Sequence, residues 1–309
     1  MFYEVISTKN YIFKIHNNSL ILQTVFKSMR YFFYILMLSL VLSSCSEYQN
    51  LLKTEDVSVK FNAADSLYNI GKYEKANKLF AQIVPSYRGK PQAEKLMFLY
   101  SDTFYKMKDY YTAGYQFERF VSSYPESEKV EEAAFLGAKS YYMLSPEYSK
   151  DQTDTKEAID KLQNFINLFP ESEYVTEANE LFRELDFKLE KKAFEIAKQY
   201  RDIAPGYTRD FNAAITSFDN FIFEFPGSTL REDALFYKFD SAYQQAINSF
   251  EEKVEGNQIV PLREPRLVKA MEFYNTFKSS YANSKYIEKA NEMASEIEEE
   301  LKQYNNNNS

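Results

Sequence analysis

Residues Ala113 to Ser127 read AGYQFERFVSSYPES, and their skeleton returns along the rest of the chain. Written as A-x3-[FLY]-x2-[FI]-x4-P-x-S, it falls on Ala113, Phe117, Phe120, Pro125 and Ser127. It falls again on Ala158, Leu162, Phe165, Pro170 and Ser172, and on Ala214, Phe218, Phe221, Pro226 and Ser228. A fourth copy, Ala270, Tyr274, Phe277, Ala282 and Ser284, lacks only the proline, and a reduced first copy keeps Ala76, Phe80 and Ile83. Offsets of four and then three place the small residue and both large apolar ones on one helix face. Proline followed by serine reads as a helix stop and a new N-cap. Each copy is therefore the second helix of a hairpin, and the predicted fold is all-α: a superhelical stack of about five helix hairpins plus a C-terminal helix.

Ahead of the repeats, Lys27 and Arg30 precede an apolar run from Tyr31 to Leu42, too short to span a bilayer, which needs roughly 20 residues. Leu42-Ser43-Ser44-Cys45 follows and resembles the lipobox of bacterial lipoproteins. We read residues 1–28 as an extension from a misplaced start codon, 29–44 as a lipoprotein signal peptide, and 45–56 as a polar tether starting at lipidated Cys45. Cys45 is the sole cysteine, so no internal disulfide can form. Loss of residues 1–44 removes four basic residues and one acidic residue from totals of 37 and 45, leaving 33 against 44, a net charge of −11. That balance argues against a nucleic-acid partner and for an aqueous compartment. Seven glycines and nine prolines, mostly at helix ends, agree with a nearly all-helical body.

The signature alanines at 76, 113, 158, 214 and 270 are spaced by 37, 45, 56 and 56, so the later units have grown. We place N-terminal repeat units at 57–152, larger C-terminal units at 153–304, and a disordered tail at 305–309. The first hairpin is expected from about Val57 to Ile70 and from Tyr73 to Tyr87, turning at Gly71. A polar loop is expected from Ser145 to Thr155. Two long first helices are expected, from about Glu173 to Arg201 and from Leu230 to about Lys253, and a final helix over Lys285 to Tyr304. The longer of these is roughly 43 Å in length, and it either docks a partner or packs on its neighbours.

On the first helices Phe61, Phe98 and Phe135 are spaced by 37, as are Tyr68, Tyr105 and Tyr142, with Asp65, Asp102 and Lys139 between them. Offsets of four and seven share a face. Ala64, Ser101, Ala138 and Leu67, Phe104, Tyr141 take the packing positions, which turns the aromatic and charged set toward a concave groove. Such rings suit an extended peptide with aromatic side chains, and Lys106 and Lys139 suit its carboxylate; alternatively the rings fill the bore of the superhelix. No catalytic residues, metal site or cofactor are expected, because the one histidine, His16, lies in the leader and no phosphate loop or nucleophile motif occurs.

Gly71-x-Tyr73-x-x-Ala76-x3-Phe80 and Lys108-Asp109-Tyr110-x-x-Ala113-x3-Phe117 resemble the tetratricopeptide repeat. With the lipobox, Ser145-Pro146, Asp151-Gln152-Thr153 and the run from Ala158 to Ile166, the whole mature chain resembles the BamD family of outer-membrane lipoproteins. That resemblance implies a palmitate-bearing lipoprotein facing the periplasm. Its partners would be the periplasmic domains of a BamA-type barrel protein, other assembly lipoproteins and unfolded outer-membrane proteins, with protein insertion into the membrane as the process. In the family the N-terminal units are associated with substrate peptides and the C-terminal units with the barrel partner. Lys108 in place of the repeat's glycine and the insertions after residue 145 depart from the pattern. An envelope or cell-division scaffold, and a SusD-like nutrient-binding lipoprotein, are the alternative readings.

Overall fold

The computed structural model describes residues 47–206, 211–256 and 258–307; Cys45 and the leader lie outside them. Twelve α-helices and one two-stranded sheet occur among the described residues, so the fold is all-α as expected. The chain divides into two compact units between Asp109 and Tyr110. The 145–152 loop, near the boundary expected at 152, instead joins two helices inside the second unit.

The first unit holds α1 (47–53), α2 (Val57–Asn69), α3 (Tyr73–Tyr87) and α4 (Ala93–Lys106). The stretch expected to be a tether is helical over 47–53. The Tyr48 hydroxyl donates to the Lys75 carbonyl at 3.1 Å, and the Lys75 ammonium lies 4.9 Å from the tyrosine ring. Asp56 caps α2, its carboxylate accepting from the Ser58 and Val59 amides at 2.9 and 3.1 Å. Helices α2 and α4 end alike. Gly71 and Lys72 close α2 with amide bonds to Tyr68 and Leu67, and Lys108 and Asp109 close α4 with bonds to Tyr105 and Phe104.

The second unit holds α5 (Tyr110–Ser123), α6 (Val130–Leu144), α7 (Thr153–Leu168), α8 (Val175–Ile203), α9 (Asn212–Glu224), α10 (Arg231–Ile247), β1 (Glu252–Glu255), β2 (Gln258–Pro261), α11 (Arg263–Ser280) and α12 (Ile287–Asn307). Within each unit sequential helices pack on each other. The even-numbered ones also touch next but one, α2 with α4 in the first unit, and α6 with α8, α8 with α10 and α10 with α12 in the second. In each unit they form one layer of a repeat stack.

The repeated motif explains itself at each turn. The aromatic residue before the proline position packs on the phenylalanine one turn earlier: Tyr124 on Phe120, Phe169 on Phe165, Phe225 on Phe221, Tyr281 on Phe277. Each following serine is nearly buried, and its hydroxyl accepts the amide two residues on, at Lys129, Tyr174, Leu230 and Tyr286. The serine therefore shapes the turn before the helix rather than occupying the N-cap itself. The signature's Ala and aromatic positions are all buried, and Phe117, Phe120, Phe218, Phe221 and Phe277 are among the largest fully enclosed side chains.

The helix expected to reach Lys253 stops at Ile247. Asn248 and Ser249 turn the chain, the Ser249 hydroxyl donating to the Ala246 carbonyl at 2.7 Å, and a β-hairpin follows with Gly256 at φ 61°. The final helix runs to Asn307, into the stretch expected to be disordered, since no glycine or proline interrupts it after Ile287.

Candidate protein-docking surfaces

The ladder residues do form a repeating set, but they are the seam between first helices. Phe61 is buried, stacked on Tyr87 at 5.6 Å and edge-on to Phe80 at 6.3 Å. Asp65 pairs with Lys95 of α4 at 3.3 Å, and the half-buried Tyr68 donates to buried Asp102 at 2.5 Å. Phe98 and Tyr105 are half-buried and Lys106 is exposed in the last turn of α4. In the second unit Phe135 is buried, lying parallel to Tyr174 at 4.9 Å and against Phe165 at 5.5 Å. Lys139 pairs with Glu177 of α8 at 2.6 Å, and Tyr142 donates to Glu184 at 2.9 Å. Burial, and then the bond to Glu184, push the Tyr142 phenol up to about 12. The expectation that Phe61 and Phe135 look into a groove is thus corrected. A first helix packs on its own partner and on the next first helix, so the face turned away from the alanine and leucine positions is partly covered too.

The same device recurs beyond the ladder. Tyr243 donates to Glu296 at 2.5 Å, linking α10 to α12, and Tyr286 of the turn before α12 bonds Asp233 while stacking on Phe236 at 4.1 Å. Between α8 and α10, the Arg201 guanidinium binds buried Asp240 through Nε at 2.7 Å and lies 4.7 Å from the Tyr237 ring.

Helix α8 is long because it belongs to two cores. Ala178 and Leu185 join Phe135, Leu162 and Phe165, while Phe194 and Ala197 join Phe218, Phe221 and Ala234. Packing thus accounts for its length, and Phe187, Ile196, Tyr200 and Ile203 stay exposed along it. Against its middle lies the 145–152 loop, built around Gln152. The Gln152 amide donates to the carbonyls of Glu147 and Lys150 at 2.8 and 3.0 Å, and its oxygen accepts from Thr155 at 2.8 Å. Lys188 reaches the Ser145 hydroxyl at 2.8 Å, Lys192 the Lys150 carbonyl at 2.6 Å, and Lys191 lies 4.5 Å from the Tyr148 ring. An open cleft of about 570 Å³ remains between loop and helix, lined by Pro146, Tyr148, Glu184, Phe187 and Lys191.

The other exposed apolar cluster went unread in the sequence. Phe250, Val254 and Ile259, each more than two-thirds exposed, lie on and beside the β-hairpin. Its base is held by the Leu262 amide on the Glu251 carbonyl at 2.9 Å and by Tyr304 and Arg263 on the Glu251 carboxylate. Val254 and Ile259 flanking Gly-Asn was the available signal.

Among the described residues no group of three or more His, Cys, Asp or Glu could hold a metal ion, and no helix is long and apolar enough to cross a membrane. The family model of the outer membrane lipoprotein YfiO matches residues 53–207, half of the chain. The chain belongs to that family. In this outer membrane lipoprotein the match spans both parts of the ladder seam, the Gln152 loop and α8. Comparison with curated proteins found no match. Among solved structures, the TPR2AB-domain:pHSP90-complex of yeast Sti1 aligns with 78% of this chain and 98% of its own, at 12% identity and a TM-score of 0.37.

Proposed function

We propose that this protein is a non-enzymatic scaffold of the machinery that assembles outer-membrane β-barrel proteins, anchored through lipid at Cys45 and facing the periplasm. It binds the periplasmic domains of a BamA-type barrel protein, other assembly lipoproteins and unfolded barrel substrates. The observation that carries this reading is that the outer membrane lipoprotein family match falls on a stack of tetratricopeptide-like hairpins, an architecture suited to holding other chains. Substrate segments are taken along the rim of the seam in either unit. Half-buried Phe98 and Tyr105 offer rings beside the exposed Lys106 cation in the first unit, and half-buried Tyr142 offers one in the second. The seam's internal bonds keep these groups in register at low entropic cost.

Isolation of the lipoprotein from membranes, with its co-purifying proteins identified, tests both parts. A BamA-type barrel protein is expected with the wild type and with the Tyr105→Ala/Tyr142→Ala variant, and unfolded barrel proteins in larger amount with the wild type. Absence of any barrel-assembly protein overturns the scaffold role. Equal recovery of unfolded substrates by both forms overturns the rim.

A further inference from the structure

The β-hairpin has two unlike edges. The Leu262 amide bonds the Glu251 carbonyl, so residues 251 and 262 form a hydrogen-bonded pair. Bonded and non-bonded pairs alternate in an antiparallel ladder. With Lys253 opposite Val260 and Glu255 opposite Gln258, the bonded pairs are 253/260 and 255/258. The backbone groups of Glu252 and Val254 therefore point outward from β1, and those of Ile259 and Pro261 outward from β2. Pro261 has no N–H, which blunts the β2 edge, whereas every residue of β1 is exposed.

We propose that β1 accepts a third strand: an extended segment of an unfolded barrel substrate that carries apolar and basic side chains alternately on one face. This rests on the scaffold reading above. Val254 and Ile259 are a cross-strand pair on one face of the hairpin, so an apolar residue entering opposite Val254 extends their row. Glu252 shares that face, and the neighbouring strand position two residues along meets its carboxylate, which selects a cation there. Glu251 is held by Arg263 and Tyr304, and Glu255 pairs with Lys253 at 3.2 Å, so Glu252 is the carboxylate that makes this selection. An unfolded membrane β-strand is an extended segment with regularly placed apolar side chains and unpaired backbone groups, which is what an open strand edge can pair with. The exposed Glu252 carboxylate disfavours the other occupant of an exposed apolar tip, an anionic lipid surface. An isolated two-stranded ribbon is marginal, so a third strand also stabilises the hairpin that receives it.

The chain has no tryptophan, so Phe250→Trp in the full lipidated protein is a single reporter. A peptide of Thr-Val-Thr-Lys repeats is expected to blue-shift its emission saturably. N-methylation of the peptide along one edge only is expected to abolish the shift, because strand addition needs those amides. Replacing the peptide lysines with glutamate is expected to weaken binding about tenfold. Val254→Thr/Ile259→Thr in the reporter background keeps strand propensity and is expected to weaken binding by a similar factor, with helix content and unfolding midpoint unchanged. Equal binding by all peptides, or by both proteins, overturns the proposal. So does quenching of the reporter's emission by brominated lipid in reconstituted bilayers without peptide, which would place the tip in the leaflet. Any of these failures leaves co-purification with a BamA-type protein intact if the scaffold reading alone is sound.

Discussion

Lys108 stands at φ 64°, in the left-handed region where the matching residue of the preceding repeat is Gly71 at φ 75°. Both positions carry the same two backbone bonds, so the lysine is held there by the helix-ending motif and not by its own preference. A side chain in this conformation costs roughly 1–2 kcal/mol, part of which glycine returns through its larger unfolded-state entropy. Lys108→Gly is expected to stabilise the protein by about 0.5–1 kcal/mol, read from urea unfolding; a loss of stability would contradict the motif's role. Single residues were legible in the sequence where they obey spacing rules: Gly71, the signature serines and the buried aromatics were all found by offset alone. Gln152 carries no such signature, because nothing in a spacing says that one amide will gather a whole loop.

At the scale of elements, first helices are tied by side chains whose partners sit on the next repeat. Tyr68, Tyr142 and Tyr243 donate to Asp102, Glu184 and Glu296, and Arg201 binds Asp240. Removing Arg201 strands a buried carboxylate, so Arg201→Met should cost about 3–5 kcal/mol, and Arg201→Met/Asp240→Leu should recover most of it. Unfolding in urea compares the three proteins. The tyrosines give a pH signature. Burial and then carboxylate bonds push Tyr142 and Tyr243 up to about 12, so the folded state holds their protons more tightly than the unfolded chain, where a phenol titrates near 10. Their stabilisation is complete below about pH 10 and is lost as pH rises toward 12. The wild type should lose stability across that window more steeply than Tyr142→Phe/Tyr243→Phe, and parallel profiles would contradict the assignment. The periodicity of Tyr68 and Tyr142 could be read from the sequence, but their burial could not. An offset of four and seven fixes a helix face, and only the neighbouring helix decides whether that face is covered. The β-hairpin was missed for a related reason: a short apolar alternation within a long helical run is outweighed by the helical pattern on either side.

For the whole molecule, hairpins were legible because each must bury its apolar face on the next, and repetition multiplies a weak signal. Insertions after Ser145 carried no such redundancy: the loop and the long helix could be placed from local composition, but the two cores that α8 joins and the β-hairpin needed the structure. Family membership as an outer membrane lipoprotein and the hairpin stack converge on a scaffold that holds other chains. If assembly of β-barrels depends on that scaffold, the dependence is visible in the membrane itself. Depletion of the protein followed by quantitative profiling of the outer membrane tests this directly. A broad fall in β-barrel proteins is expected while other outer-membrane lipoproteins hold steady, and unchanged barrel levels would contradict the scaffold role.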